Sequence, residues 1–163
     1  MEKNDETLFT LINRGGMYYR VAGSGVRELL ENLIGGLKLP PETDAAIDRE
    51  QLLKAALERE ELMTTAVGHG IALPHPRNPL IADSARQFVA IAFFEQPADW
   101  NALDGEKVHT AIFIVSASPK LHLHTLSRIN YFCQQETFRG LLAKRAPREE
   151  IIRVIAESEQ AWH

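Results

Sequence analysis

The apolar positions of this chain change period several times, and each change marks a different element. Leu8, Leu11 and Ile12 make a short helix before Gly15-Gly16, while Met1 to Thr7 ahead of them are charged and expected to fray. Met17 to Val21 reads as a first strand. Ser24 offers an N-cap to a helix in which Leu29, Leu30, Leu33, Ile34 and Leu37 recur at helical spacing, until Gly35-Gly36 and Pro40-Pro41 end it. Asp48, with Gln51 three residues on, has the pattern of a capping box ahead of a stripe formed by Leu52, Leu53, Ala56 and Leu57.

From Thr64 to Pro79 the chain is glycine-rich and bounded by proline, with a short apolar strand from Ile71 to Leu73 that stops at Pro74. Phe88 to Phe94 and Thr110 to Val115 are continuous apolar runs, so the strands they predict are covered on both faces. Asp104-Gly105 marks the turn between them. Ser118 caps the next helix with Pro119 at its first position, and Leu126, Ile129 and Cys133 face the core. Thr137 to Ala143 and Pro147 to Glu157 are the last helices, the second turning Ile151, Ile152 and Ile155 inward. Helices and strands so intermixed predict a layered α/β (α+β) fold.

Composition narrows the picture. With 163 residues, 45% of them apolar, the chain suits one domain with a sizeable core. Residues 1–16 are expected to form an N-terminal extension with a short helix, and 17–160 a single domain. No apolar run approaches the roughly 20 residues of a membrane helix, and the acidic N-terminus lacks a secretion-signal layout, so a cytoplasmic protein without membrane insertion is expected. The single cysteine, Cys133, excludes an internal disulfide framework and a multi-thiolate metal site. A net charge of -4 without a dense Lys/Arg block argues against nucleic acid as a main partner and suits a protein with a basic face.

The chemistry concentrates in Gly68-His69-Gly70-Ile71-Ala72-Leu73-Pro74-His75, where a histidine follows directly on a strand terminator. Its neutral imidazole keeps one lone pair for attack on phosphorus when the other nitrogen is held as a donor, and glycines nearby let a phosphate approach. The same pair, taken alone, equally describes a histidine that satisfies a loop carbonyl. Arg59 lies about 20° round its helix from Leu52, near the C-terminal end, where it either bends toward the site or snorkels. His122 falls in the first turn of its helix on the Leu126 face, either beside the site or as a capped core residue, whereas His124 is about 200° round and expected to face solvent.

These residues resemble the phosphorylation motif of the bacterial phosphotransferase-system IIA domains of the fructose, mannitol and nitrogen-regulatory class. The usual form is an Arg-Glu helix end, a Thr, then Gly-x-Gly-Ile-Ala-Ile-Pro-His; the matching residues are Arg59-Glu60, Thr65, Gly68, Gly70, Ile71, Ala72, Leu73, Pro74 and His75. Trp100, Asp104-Gly105, Val108, His122-Leu123 and Glu136 to Phe138 extend the likeness over about Met17 to Glu157. The resemblance implies a central mixed sheet flanked by helices on both faces. It also implies phosphoryl acceptance at Nε2 of His75, with Arg59 and His122 stabilising the transferring group. Thr65, Gly68, Gly70 and Pro74 would then shape a phosphate-binding loop. The implied donor is a phosphorylated histidine-containing carrier of the HPr or NPr type, and the onward partner a sugar-permease IIB component or a regulated transporter or kinase. No cofactor and no metal are implied. The nitrogen-regulatory branch is expected to be nearest, because no permease segment accompanies the domain.

Two positions depart from the pattern. Pro76 stands where Gly, Ala or Cys is usual, removing one N–H beside the histidine, and His69 stands where a small or amide residue is common. Two further readings therefore accompany the phosphoryl carrier. One is a binding-only regulatory module in which phosphorylation plays no part. The other is a metal-dependent hydrolase built on His69, His75, His122 and His124, which lacks flanking acidic ligands.

Overall fold

The two uninterrupted apolar runs become the central strands. In the computed structural model, which describes residues 6–161, β4 (Phe88–Ala98) and β5 (Val108–Val115) pair antiparallel, with Phe88 opposite Val115 and Phe93 opposite Thr110. β1 (Met17–Val21) lies parallel to β4, and β3 (Ile71–Ala72) parallel to β5. A short β2 (Ala66–Gly68) pairs antiparallel with β3, so the mixed sheet runs β1-β4-β5-β3-β2.

Alternate residues of β4 serve opposite layers, as the period of a strand demands. Phe88, Ala90, Ala92 and Phe94 join the core beneath α2 (Val26–Gly35) and α4 (Arg49–Leu62), with Leu30, Leu33, Leu52 and Ala56. Val89, Ile91 and Phe93 join the opposite core, formed with α1 (Leu8–Gly15), α5 (Pro119–Cys133), α6 (Glu136–Ala143) and α7 (Arg148–Ala161). Covered on both sides, the strand needs no polar alternation. The expected α/β layering with helices on both faces is the architecture observed.

α1 is locked into that second core. A Cβ at Gly15 would lie 2.1 Å from the Val89 carbonyl oxygen, so only glycine lets the helix end approach β4 this closely. The buried Glu159 carboxylate accepts from the first amides of α1, Leu8 at 2.7 Å and Phe9 at 3.0 Å, and from Arg128 at 3.1 Å.

Several local expectations are corrected. Met1 to Asp5 lie outside the described residues, but Glu6 and Thr7 do not fray: Glu6 holds Arg14 through both carboxylate oxygens at 2.9 Å, and Thr7 caps α1 by accepting from the Thr10 amide. The N-cap of α2 is Gly25, because the Ser24 amide and hydroxyl both donate to Glu28. Pro41 opens an unforeseen helix, α3 (Pro41–Ala46), at the first-turn position that tolerates proline. Asp48 does cap α4, accepting from the Gln51 amide at 3.1 Å, and Ser118 caps α5, accepting from the Leu121 amide at 3.2 Å.

Candidate functional site

His75 sits where β3 leaves the sheet, and three backbone hydrogen bonds fix it. The Leu73 amide donates to Thr65 O at 2.9 Å, the Ile114 amide of β5 to Pro74 O at 3.0 Å, and the Arg77 amide to Ala55 O of α4 at 3.1 Å. Pro74 and Pro76 are buried on either side, leaving a half-buried imidazole between two anchored residues. Its Nδ1 lies 2.9 Å from the Leu73 carbonyl oxygen. A carbonyl only accepts, so Nδ1 carries the proton and Nε2 keeps the lone pair. Burial first, and then the Arg59 charge, lower the proton affinity of His75 against the opposing pull of that carbonyl, so the ring is neutral at pH 7.

The second imidazole lies against the first. The ring centroids of His75 and His122 are 4.4 Å apart, with the planes tilted by 46°. His122 enters from the first turn of α5, and its Nδ1 is 3.5 Å from Oγ of Ser116, a buried residue just beyond β5. Burial, then His75, then Arg59 push the His122 pKa down to about 4. Arg59 comes from the last turn of α4, where its Nη1 donates to the Met63 carbonyl at 2.6 Å.

The three side chains line one cleft of about 300 Å³, together with Pro76, Arg77, Asn78, Pro79, Ile114, Ser116, Pro119 and Leu123. None of these lining residues is a carboxylate. Two guanidiniums, two imidazoles and a hydroxyl converging without an acid suit an anion that carries several oxygens.

The other sequence-predicted residues fall elsewhere. Thr65 is buried, and its amide (3.1 Å) and hydroxyl both donate to Glu60 while its carbonyl holds Leu73, so it braces the loop from behind. Pro74 is likewise a buried brace. Gly68 and Gly70 do not reach the His75 cleft: they close the β2–β3 turn at the opposite end of β3, about five residues or roughly 16 Å of extended chain away. A Cβ at Gly70, with φ +78°, would meet the His109 ring at 2.4 Å, and the His69 amide beside it donates to Asp104 at 3.0 Å. The glycines thus serve a tight turn, correcting the expectation that they admit a phosphate to His75.

His69 stands at that turn, so the four histidines of the hydrolase reading do not converge. Among the described residues no group of three or more His, Cys, Asp or Glu is placed to hold a metal ion. His124, expected in solvent, is half-buried. Trp100 is packed, stacking on Phe94 with centroids 5.6 Å apart, while its carbonyl accepts from Thr64 at 2.5 Å. Among the described residues no helix is long and apolar enough to cross a membrane.

Sequence reasoning missed Ser116 and Arg77. The signal for Arg77 was its place two residues after the histidine, and for Ser116 its place at the end of an apolar strand, but neither pattern is distinctive by itself.

Residues 24–158 match the family described as phosphoenolpyruvate-dependent sugar phosphotransferase system, EIIA 2. The nitrogen regulatory protein of Escherichia coli (strain K12) is 29% identical over 98% of this chain and 96% of its own length. The crystal structure of nitrogen regulatory protein IIA-Ntr from Neisseria meningitidis superposes with a TM-score of 0.71 at 20% identity, covering 85% of this chain and 92% of that one. The mannitol IIA enzyme of Escherichia coli, solved in complex with its phosphorylated IIB enzyme, gives 0.67 at 16% identity, covering 86% and 94%.

Proposed function

The chain belongs to the EIIA 2 family of the phosphoenolpyruvate-dependent sugar phosphotransferase system, and from that premise we propose that Nε2 of His75 accepts a phosphoryl group from a phosphorylated histidine-containing carrier protein of the HPr or NPr type. Membership carries a phosphoryl-carrier or regulatory role in the general sense; the acceptor atom and the donor are the proposal. One observation supports it above the rest: the 2.9 Å bond from Nδ1 of His75 to the Leu73 carbonyl leaves the lone pair on Nε2, beside Arg59 and His122.

The transfer balances simply. The Nε2 lone pair forms a bond to phosphorus as the carrier's N–P bond breaks and the carrier nitrogen recovers the bonding pair. His75 keeps its Nδ1 proton and becomes a cationic phospho-imidazole, while the protonated carrier ring leaves as a neutral imidazole. Charge is conserved. The transition state spreads negative charge over three equatorial oxygens, so positioned cations do most of the work. Arg59 supplies one, and His122 supplies an imidazole whose proton affinity should rise once a phosphoryl dianion lies beside it. Thr65 and Pro74 position the loop.

The phosphoryl group then passes to a IIB component, as in the pairing named for the mannitol enzyme, or stays and alters the docking surface toward a regulated transporter or kinase, as the name of the nitrogen regulatory relative suggests. The test is intact-mass measurement after incubation with phosphoenolpyruvate, its kinase and the carrier. One added phosphoryl group, absent from His75→Ala, supports the reading; uptake that survives in His75→Ala overturns it. Pro76, buried beside His75 and without an N–H, favours the second reading of a phosphorylation-independent module. That reading predicts no mass gain and partner binding unchanged in His75→Ala.

A further inference from the structure

A phosphoryl group on His75 presents three oxygens that need donors, and backbone amides are the usual first supply in such sites. Several positions around this cleft cannot supply one. Pro74, Pro76, Pro79 and Pro119 have no N–H. The Arg77 amide is donated to Ala55 O at 3.1 Å, the Ile114 amide to Pro74 O at 3.0 Å, the Leu121 amide to Ser118 Oγ at 3.2 Å and the His122 amide to Ser118 O at 2.9 Å. The amides of Asn78 and Ser116 remain, so side-chain cations must share the charge of the group. Arg59 offers one guanidinium, and one of its nitrogens is already donated to the Met63 carbonyl at 2.6 Å.

Arg77 is the other cation lining the cleft. Its backbone is anchored two residues from His75, its side chain is exposed, and among the described residues its guanidinium has no hydrogen-bond or ion-pair partner. No lining carboxylate competes for it. We propose that Arg77 is a second phosphoryl-binding guanidinium, closing on the oxygens of the group carried by His75. The proposal rests on the phosphoryl-acceptor reading above. Because nothing in the fold depends on this side chain, its truncation leaves the backbone anchor and the core in place.

The experiment compares Arg77→Ala, Arg77→Lys and the unaltered full chain, with Lys120→Ala as a control for the loss of one exposed positive charge outside the cleft. Each is phosphorylated from the carrier and, separately, from phosphoramidate, a small donor that needs no protein docking. Arg77→Ala is expected to slow uptake roughly tenfold with both donors, and Arg77→Lys to lie between. The second ionisation of the phosphoryl group, followed by 31P NMR, is expected to move up by about half a unit to one unit in Arg77→Ala, since a neighbouring cation favours the dianion. A change confined to the protein donor, or an Arg77→Ala protein indistinguishable from Lys120→Ala in rate and titration, overturns the proposal. Failure of the unaltered protein to take up phosphoryl from either donor removes the functional reading and, with it, this one.

Discussion

Phosphorylation of His75 should recharge His122. In the unmodified protein His122 is held at a pKa of about 4 by burial and by its two basic neighbours. The imidazoles stand 4.4 Å apart centre to centre. A phosphoryl dianion on a singly protonated ring adds a net charge of about -1, at about 5 Å from the His122 ring. With an effective dielectric constant of about 20, that interaction is worth about 3 kcal/mol, or about 2 pH units. His122 should therefore titrate at roughly 6 to 6.5 in the phosphorylated protein. The assay is the pH dependence of the His122 Cε1 proton and ring nitrogens by NMR, before and after phosphorylation. A pKa that stays near 4 would show that His122 does not feel the phosphoryl group, and would remove it from the stabilising set.

The same shift has a consequence for stability. The folded pKa of unmodified His122 lies below the value of about 6.5 that the unfolded chain has, so the unfolded state binds more protons between those values. Stability contributed at neutral pH is lost as pH falls from about 6.5 toward about 4, and phosphorylation should shrink that loss.

Other consequences are local. Arg59→Gln should slow phosphoryl uptake by about a hundredfold with the urea midpoint nearly unchanged, because its side-chain hydrogen bond, to Met63 O, is at the surface; unchanged kinetics would remove Arg59 from the site. Gly70→Ala should cost about 2 to 4 kcal/mol in urea unfolding, from the collision with His109 at a positive φ, while leaving phosphoryl uptake by the folded protein close to normal, since the turn lies at the far end of β3. Glu159→Ala should cost about 3 kcal/mol and expose the α1 amides to rapid hydrogen exchange, because two helix-start donors and Arg128 lose a buried partner.

Much of the architecture could be read from period alone. Phe88 to Phe94 and Thr110 to Val115 announced a sheet covered on both sides, and the stripe through Leu29, Leu30, Leu33 and Ile34 announced the helix that covers one of them, although Leu37, expected in that helix, lies beyond its end at Gly35. The meeting of Arg59, His75 and His122 was legible through the resemblance to the IIA motif, because spacing alone left Arg59 either bent toward the site or snorkelling and His122 either beside it or capped in the core. Gly68 and Gly70 misled because their neighbours depend on β3 pairing in parallel with β5, which sets them beside His109, and local sequence does not encode that register. The N-cap of α2 went to Gly25 because Glu28 outcompeted the helix amides for Ser24. Ser116 and Arg77 escaped notice because only the folded cleft brings them to His75.

Everything in this account turns on which nitrogen of one ring is free. Correlation of 15N with 31P in the phosphorylated, 15N-labelled protein reads this directly. A single phosphohistidine is expected, bonded through Nε2 of His75, with Nδ1 still protonated against the Leu73 carbonyl; phosphorus on Nδ1, or on a different histidine, would overturn the proposed transfer.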